Sequence, residues 1–111
     1  MCVNLTTITF EAGSQLKIIN DFGFTNCNKL SAITIPEGVT TIGVEALGDC
    51  SSITSVTIPA SVTSVGARAF YRWTASQTIN VQGYTSQEAA DIAWGGSDWR
   101  TNCNAIINYA Y

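Results

Sequence analysis

The chain has no histidine among its 111 residues. That removes the commonest general base and the commonest metal ligand together. Charge is scarce as well. Only 12% of residues are charged, about half the ~25% usual in soluble domains. The net charge of −3 leaves no basic stripe to displace counterions, so no nucleic-acid partner is expected. No window approaches the ~18 apolar residues of a membrane span, so membrane insertion is not expected either. The four cysteines, at 2, 27, 50 and 103, form no C-x-x-C pair, and a zinc site is not expected. No serine lies in G-x-S-x-G, and no glycine-rich phosphate loop is present. The opening "MCVNLTTITF" lacks the basic and apolar regions of a signal peptide.

What is abundant is repetition. Hydrophobic residues make up 46% of the chain, and they recur at a fixed step. Ile33, Val56 and Ile79 are 23 apart, as are Ile35, Ile58 and Val81. Leu16, Val39 and Val62 keep the step, and so do Ile19, Ile42 and Val65. Phe24, Leu47 and Phe70 keep it, with Cys27, Cys50 and Trp73 behind them. Upstream, Leu5, Ile8 and Phe10 precede Leu30, Ile33 and Ile35 by 25, the two extra residues lying in the turn before Leu16.

Each unit reads as one coil of a solenoid, unable to bury its apolar face until the next coil stacks on it. The alternation around Ile33 and Ile35, Val56 and Ile58, and Ile79 and Val81 predicts short strands with these residues inward. Pro36 and Pro59 end their strands for want of an N–H. A second extended run follows, "LKII", "VTTI" or "SVTSV". Gly43 and Gly66 then read as sharp turns. "VEALGDC" and "ARAFYRW" are expected to form about one helical turn, returning Ala46, Leu47, Ala69 and Phe70 to the core.

The stretch "CNKLSAITIPEGVTTIGVEALGDCSSITSVTIPASVTSVGARAF" resembles the BspA-like, or Treponema-type, leucine-rich repeat, C-x-x-L-x-x-I-x-[IL]-P-x-x-[VL]-x-x-I-G-x-x-A-F-x-x. The likeness covers residues 2 to about 82. It departs from the pattern at Asn20, Gly23, Trp73 and Gln82, near the two ends. The resemblance implies a curved leucine-rich-repeat solenoid of α/β, strand-dominated class, with a parallel sheet on one face and short helical turns. It also implies an exported or cell-surface protein of a host-associated microbe, non-enzymatic, engaged in adhesion or protein binding.

Residues 1–111 are read as one domain, with repeats over 2–82 and a carboxyl-terminal cap over 83–111. Residues 2–4 match the end of a preceding coil, so the chain is expected to be the carboxyl-terminal part of a longer protein. Thr85 and Glu88 have the spacing of a capping box at the start of a helix. Gly95–Gly96 stops that helix. "NAIINY" is expected to add a last strand to the sheet edge.

No catalytic set, metal site or cofactor is expected. The carboxylates of Glu11, Asp21, Glu37, Glu45, Asp49, Glu88, Asp91 and Asp98 are scattered, with no facing pair predicted. Cys27 and Cys50 are close enough in register for a disulfide, but stacked side chains suit its torsion poorly, so buried thiols are expected. Cys2 would extend their ladder, and Cys103 is placed outside it. Trp73, Trp94 and Trp99 are expected to pack rather than bind.

Two surfaces are left as candidates. One is the sheet face, where leucine-rich repeats usually bind: Thr7, Thr9, Thr34, Ser55, Thr57, Thr78 and Asn80, with Ala32. The other is an exposed aromatic and basic edge at Tyr71 and Arg72. Four strands give a face of roughly 250 Å², well short of the ~800 Å² per partner of a standard interface. The expected partner is a protein or matrix ligand, bound by a monomeric fragment. The alternatives are a spacer and cap with no ligand of its own, or an accessory domain of a surface enzyme.

Overall fold

The computed structural model describes residues 7–8 and 16–109. Of Thr7 and Ile8 it describes the backbone only; Cys2, Leu5, Thr9, Phe10 and Glu11 lie outside the described residues. The elements in order are β1 (Thr7–Ile8), β2 (Ile18–Ile19), β3 (Ala32–Ile33), β4 (Thr41–Ile42), β5 (Ser55–Ile58), β6 (Ser64–Val65), β7 (Thr78–Val81), α1 (Gln87–Ala93) and β8 (Ile106–Asn108). A 3-10 turn, Ser97–Arg100, lies between α1 and β8.

All strand pairs are parallel, and among β2 to β7 each pair keeps the step of the sequence repeat. Ile19 pairs with Ile42, and Ile42 with Val65. Val56 pairs with Ile79, and Ile58 with Val81. Where β1 meets β3 the longer upstream step appears, with Ile8 opposite Ile33. The expected last strand forms: β8 pairs with β7, Ile107 opposite Ile79. The second extended run of each repeat makes a ladder of its own, β2-β4-β6. The first face is not one sheet, however. It divides into β1-β3 and β5-β7-β8, with β3 beside β5 but not hydrogen-bonded to it.

The core lies between the ladders. Leu30, Val39, Ile42, Leu47, Ile53, Ile58, Val62, Phe70, Ile79 and Val81 have no exposure at all. Removing such a side chain to alanine costs about 2–5 kcal/mol.

The turns that close each repeat differ from expectation. The segments after Gly43 and Gly66 contain no helix. Left-handed residues break them at two positions per repeat. Phe22, Glu45 and Arg68 have φ of 57°, 51° and 55°; Asn26, Asp49 and Arg72 have 59°, 58° and 67°. A left-handed non-glycine residue costs about 1–2 kcal/mol, so some gain must offset it. Hydrogen bonds between repeats do: Phe22, Phe24 and Asn26 donate N–H to Val44, Ala46 and Gly48, and Glu45, Leu47 and Asp49 donate to Ala67, Ala69 and Tyr71. This is a third ladder, made of turns.

Gly43 and Gly66 are needed for closeness rather than for sharp turning, since neither has positive φ. A Cβ on Gly43 would stand 2.5 Å from Asp21 N, and one on Gly66 2.5 Å from Val44 N. Beside Gly43, Asp21 Oδ1 accepts the Val44 N–H at 2.8 Å.

Helix α1 starts one residue later than the capping-box spacing predicts. Ser86, not Thr85, is the N-cap, its Oγ accepting from Ala89 N at 3.1 Å. Gly95 and Gly96, with φ of 86° and 123°, end it as expected.

Candidate functional site

Among the described residues, each candidate surface carries a groove. The larger, of about 550 Å³, runs along the turn ladder. Its wall is the left-handed column Asn26, Asp49 and Arg72, one residue from each repeat, continued by Asn102. Glu45 and Arg68 come from the other column, and Tyr71 lies beside Arg72. The column recurs once per repeat, so the repeat sets a row of polar groups along this groove.

The charges are mixed. Arg68 Nε lies 3.6 Å from Glu45 Oε2, a half-exposed pair worth little in stability. Arg72 is exposed, and its guanidinium lies over the Tyr71 ring, 5.4 Å from the centroid. Contact with Tyr71, and then the Asp49 charge, hold Arg72 above the ordinary arginine range. Tyr71, expected to be exposed, is half-buried under Arg72. The groove can hold a ligand by charge and hydrogen bonding.

The smaller groove, about 470 Å³, is the cleft where β3 and β5 do not pair. Thr34, Ser55 and Thr57 line it between Pro36 and Pro59. Thr34 and Ser55 are exposed as expected, while Thr57 and Thr78 are half-buried. Thr7 pairs with Ala32 through the backbone, and Thr9 lies outside the described residues. Asn80 does not belong to an open face. It is 8% exposed, because β8 covers that side of β7 and Asn108 Nδ2 donates to Asn80 Oδ1 at 3.0 Å.

The cysteine column works as a hydrogen-bond ladder. Cys50 Sγ donates to Phe24 O at 3.0 Å, and Trp73 Nε1 donates to Leu47 O at 2.8 Å. Both reach back one repeat to equivalent carbonyls. Trp73 is therefore a donor for the column as well as bulk, with Phe70 edge-on 5.2 Å away. Cys50 is a free thiol, pushed up to about 11 by burial. Cys27 is buried but disulfide-bonded, so it is not the free thiol expected, and its bond is not to Cys50.

Sequence reasoning missed Gln77, which is 2% exposed. Its Nε2 donates to Cys50 O and Ile53 O at 2.9 and 2.8 Å, and its Oε1 accepts from Thr74 N at 2.9 Å. A glutamine one residue after the broken L position, at Ser76, was the available signal. Also missed was the cluster around Asp91. Trp99 Nε1 and Arg100 Nε donate to Asp91 Oδ1 at 2.8 and 3.1 Å, and Arg100 Nη2 to Oδ2 at 2.6 Å. Arg100 holds the Asp91 carboxyl below the usual carboxylate range. Trp94 and Trp99 are buried, as packing predicts.

Among the described residues no three histidine, cysteine or carboxylate side chains gather as for a metal ion. No helix among them is long and apolar enough to cross a membrane.

Parallel ladders that keep the step of the sequence repeat, with an aliphatic core between them, define the leucine-rich-repeat class of protein. The model of the BspA type leucine rich repeat region (6 copies) matches residues 1–91, and the chain belongs to that family. No curated protein and no solved structure matches the chain.

Proposed function

We propose that the chain is a non-enzymatic interaction module of a microbial cell-surface or secreted leucine-rich-repeat protein. Residues 83–111 form a cap on its repeats. Its work is adhesion, through a protein or matrix ligand. Family membership supports the class, and the disulfide at Cys27 suits an oxidising compartment. The observation that carries the choice of surface is the turn-face groove. Equivalent positions on three repeats line up polar and charged side chains there, with the Tyr71–Arg72 pair at one end.

The sheet face is the weaker candidate. Its side chains are small and neutral, it is broken between β3 and β5, and Asn80 is covered. Those same small residues favour a second reading, in which the domain is a spacer without its own ligand.

The test is binding of the chain to immobilised matrix and host-surface proteins. Arg72→Glu combined with Tyr71→Ala is expected to lower affinity at least tenfold, about 1.4 kcal/mol, with the fold intact. A ligand that binds equally well to the double variant removes the groove from consideration. Binding by a longer parent that does not change when residues 1–111 are deleted selects the spacer. Reproducible turnover on a glycan, peptide or ester panel overturns both.

A further inference from the structure

Strand β8 is the outer strand of β5-β7-β8, and among the described residues nothing pairs with its far edge. Natural edge strands are usually protected by lysine, proline, a bulge or a covering segment. The stretch Asn104 to Tyr109 has none of the protective residues. It carries no charge, and the nearest charged side chain along the sequence, Arg100, is already engaged by Asp91. Burial alternates strictly along it. Asn104, Ile106 and Asn108 are exposed, while Ala105, Ile107 and Tyr109 are half-buried against the core. Ile106, at 55% exposure, is one of few large apolar side chains left in water.

The backbone settles which groups are open. Ile106 N–H donates to Gln77 O at 2.9 Å, so Ile106 turns its hydrogen-bonding groups toward β7. Neighbouring residues on a strand face opposite edges, so the N–H and C=O of Ile107 face outward.

We infer that β8 is a self-pairing edge, and that its partner is β8 of a second copy of this chain, antiparallel about a two-fold axis. A neutral strand can meet itself without like-charge repulsion. The core side must stay the core side, because a one-residue slip would reverse every side chain. A dyad through Ile106 satisfies this. Ile106 then faces Ile106 of the second copy, Ala105 faces Ile107, and Asn104 faces Asn108. The outward Ile107 groups fall in a hydrogen-bonded pair. Ile106 falls in the non-hydrogen-bonded pair, where opposed side chains are closest, at about 4.5 Å between Cα atoms. The two chains share a six-stranded sheet. The contact is small, so association is weak and concentration-dependent, in contrast to the monomer expected from sequence.

The test is the mass of the whole chain by sedimentation equilibrium, from about 10 µM to about 1 mM. Mass is expected to rise from 11.8 kDa towards twice that value. Ile106→Lys is expected to remain at 11.8 kDa throughout with an unchanged thermal melt, and Ile106→Thr to weaken the dimer without abolishing it. In a Cys103→Ser background, Ile106→Cys is expected to form a disulfide-linked dimer on oxidation, since about 4.5 Å lies within the range a disulfide spans. A wild-type mass that stays at 11.8 kDa overturns the inference, even if an unrelated extended peptide binds the edge. So does a dimer that Ile106→Lys leaves intact.

Discussion

In the repeats, Glu45 N–H reaches Ala67 O and Asp49 N–H reaches Tyr71 O, each in the next repeat along the chain. At the end of the array, Arg68 and Arg72 send the equivalent N–H groups to Asp98 and Asn102, across a longer stretch of chain that includes α1. Inside the turns the likeness continues. Tyr71 N–H bonds to Arg68 O, and Trp73 N–H to Phe70 O; in the carboxyl-terminal segment, Thr101 bonds to Asp98 and Cys103 to Arg100. Asn102 is left-handed, φ 54°, just before Cys103, as Arg72 is before Trp73. Cys103 thus follows a left-handed residue, as Trp73 does. The added length accommodates α1. Two regions with unrelated sequences meet one demand, that buried backbone groups find partners. The repeats meet it by periodicity and close contact. The carboxyl-terminal segment meets it by mimicry of the backbone, with aromatic packing and a partly buried ion pair for filling.

That contrast can be broken at its glycines. Gly43→Ala forces a Cβ onto backbone atoms 2.5 Å away, and an expected loss of about 3 kcal/mol or more follows from overpacking that cannot relax. Gly95→Ala meets nothing within 4 Å and costs only its left-handed φ, about 1 kcal/mol. Urea melts of the two variants compare them directly. Equal losses would dissolve the distinction between close contact and conformation.

The tryptophans give the next effect. Trp73→Phe leaves the buried Leu47 carbonyl without its donor, and a loss of about 1–3 kcal/mol is expected. Trp94 Nε1 has no partner among the described residues, so Trp94→Phe forfeits only packing and is expected to cost less. Thermal melts showing the reverse order would refute the hydrogen-bond reading of the cysteine column.

Asp91 sharpens the comparison through pH. Its folded pKa lies below its unfolded one, chiefly through the Arg100 hydrogen bonds. Its contribution is therefore present above the unfolded value, near 3.9, and is lost as pH falls through the folded value. Asp91→Asn is expected to destabilise by about 1 kcal/mol at pH 7 and to flatten the stability profile below about pH 4. Its effect should vanish at the acid end, where the wild type has lost the same bond. The smallest effect belongs to Tyr109, whose buried hydroxyl has no partner among the described residues. Tyr109→Phe is expected to be neutral or slightly stabilising, by less than about 0.5 kcal/mol, measured by calorimetry.

Much of the repeat was legible because one period constrained many positions at once. The register of Val56 with Ile79, and the burial of Leu47 and Phe70, follow from spacing alone. The glycine positions were legible but not their reason, since close approach is a distance between segments in different repeats. The turn-face groove was legible only at Tyr71 and Arg72. Its other members, Asn26, Asp49 and Glu45, are ordinary polar residues until left-handed backbone aligns them. Asn80 was misplaced because its cover, β8, is distant in the chain and breaks the period.

The sequence by itself determined the class of this protein, the step of its repeat, its core and its final strand. Aliphatic side chains favour burial, and a fixed spacing allows a stacking that buries those that recur at the inward positions. Tertiary structure alone decided where the sheet divides, which columns turn left-handed, how Gln77 and Asn80 are satisfied, and which edge of β8 stays open. Each of those depends on hydrogen bonds to segments that the fold brings together, which side-chain patterning does not encode.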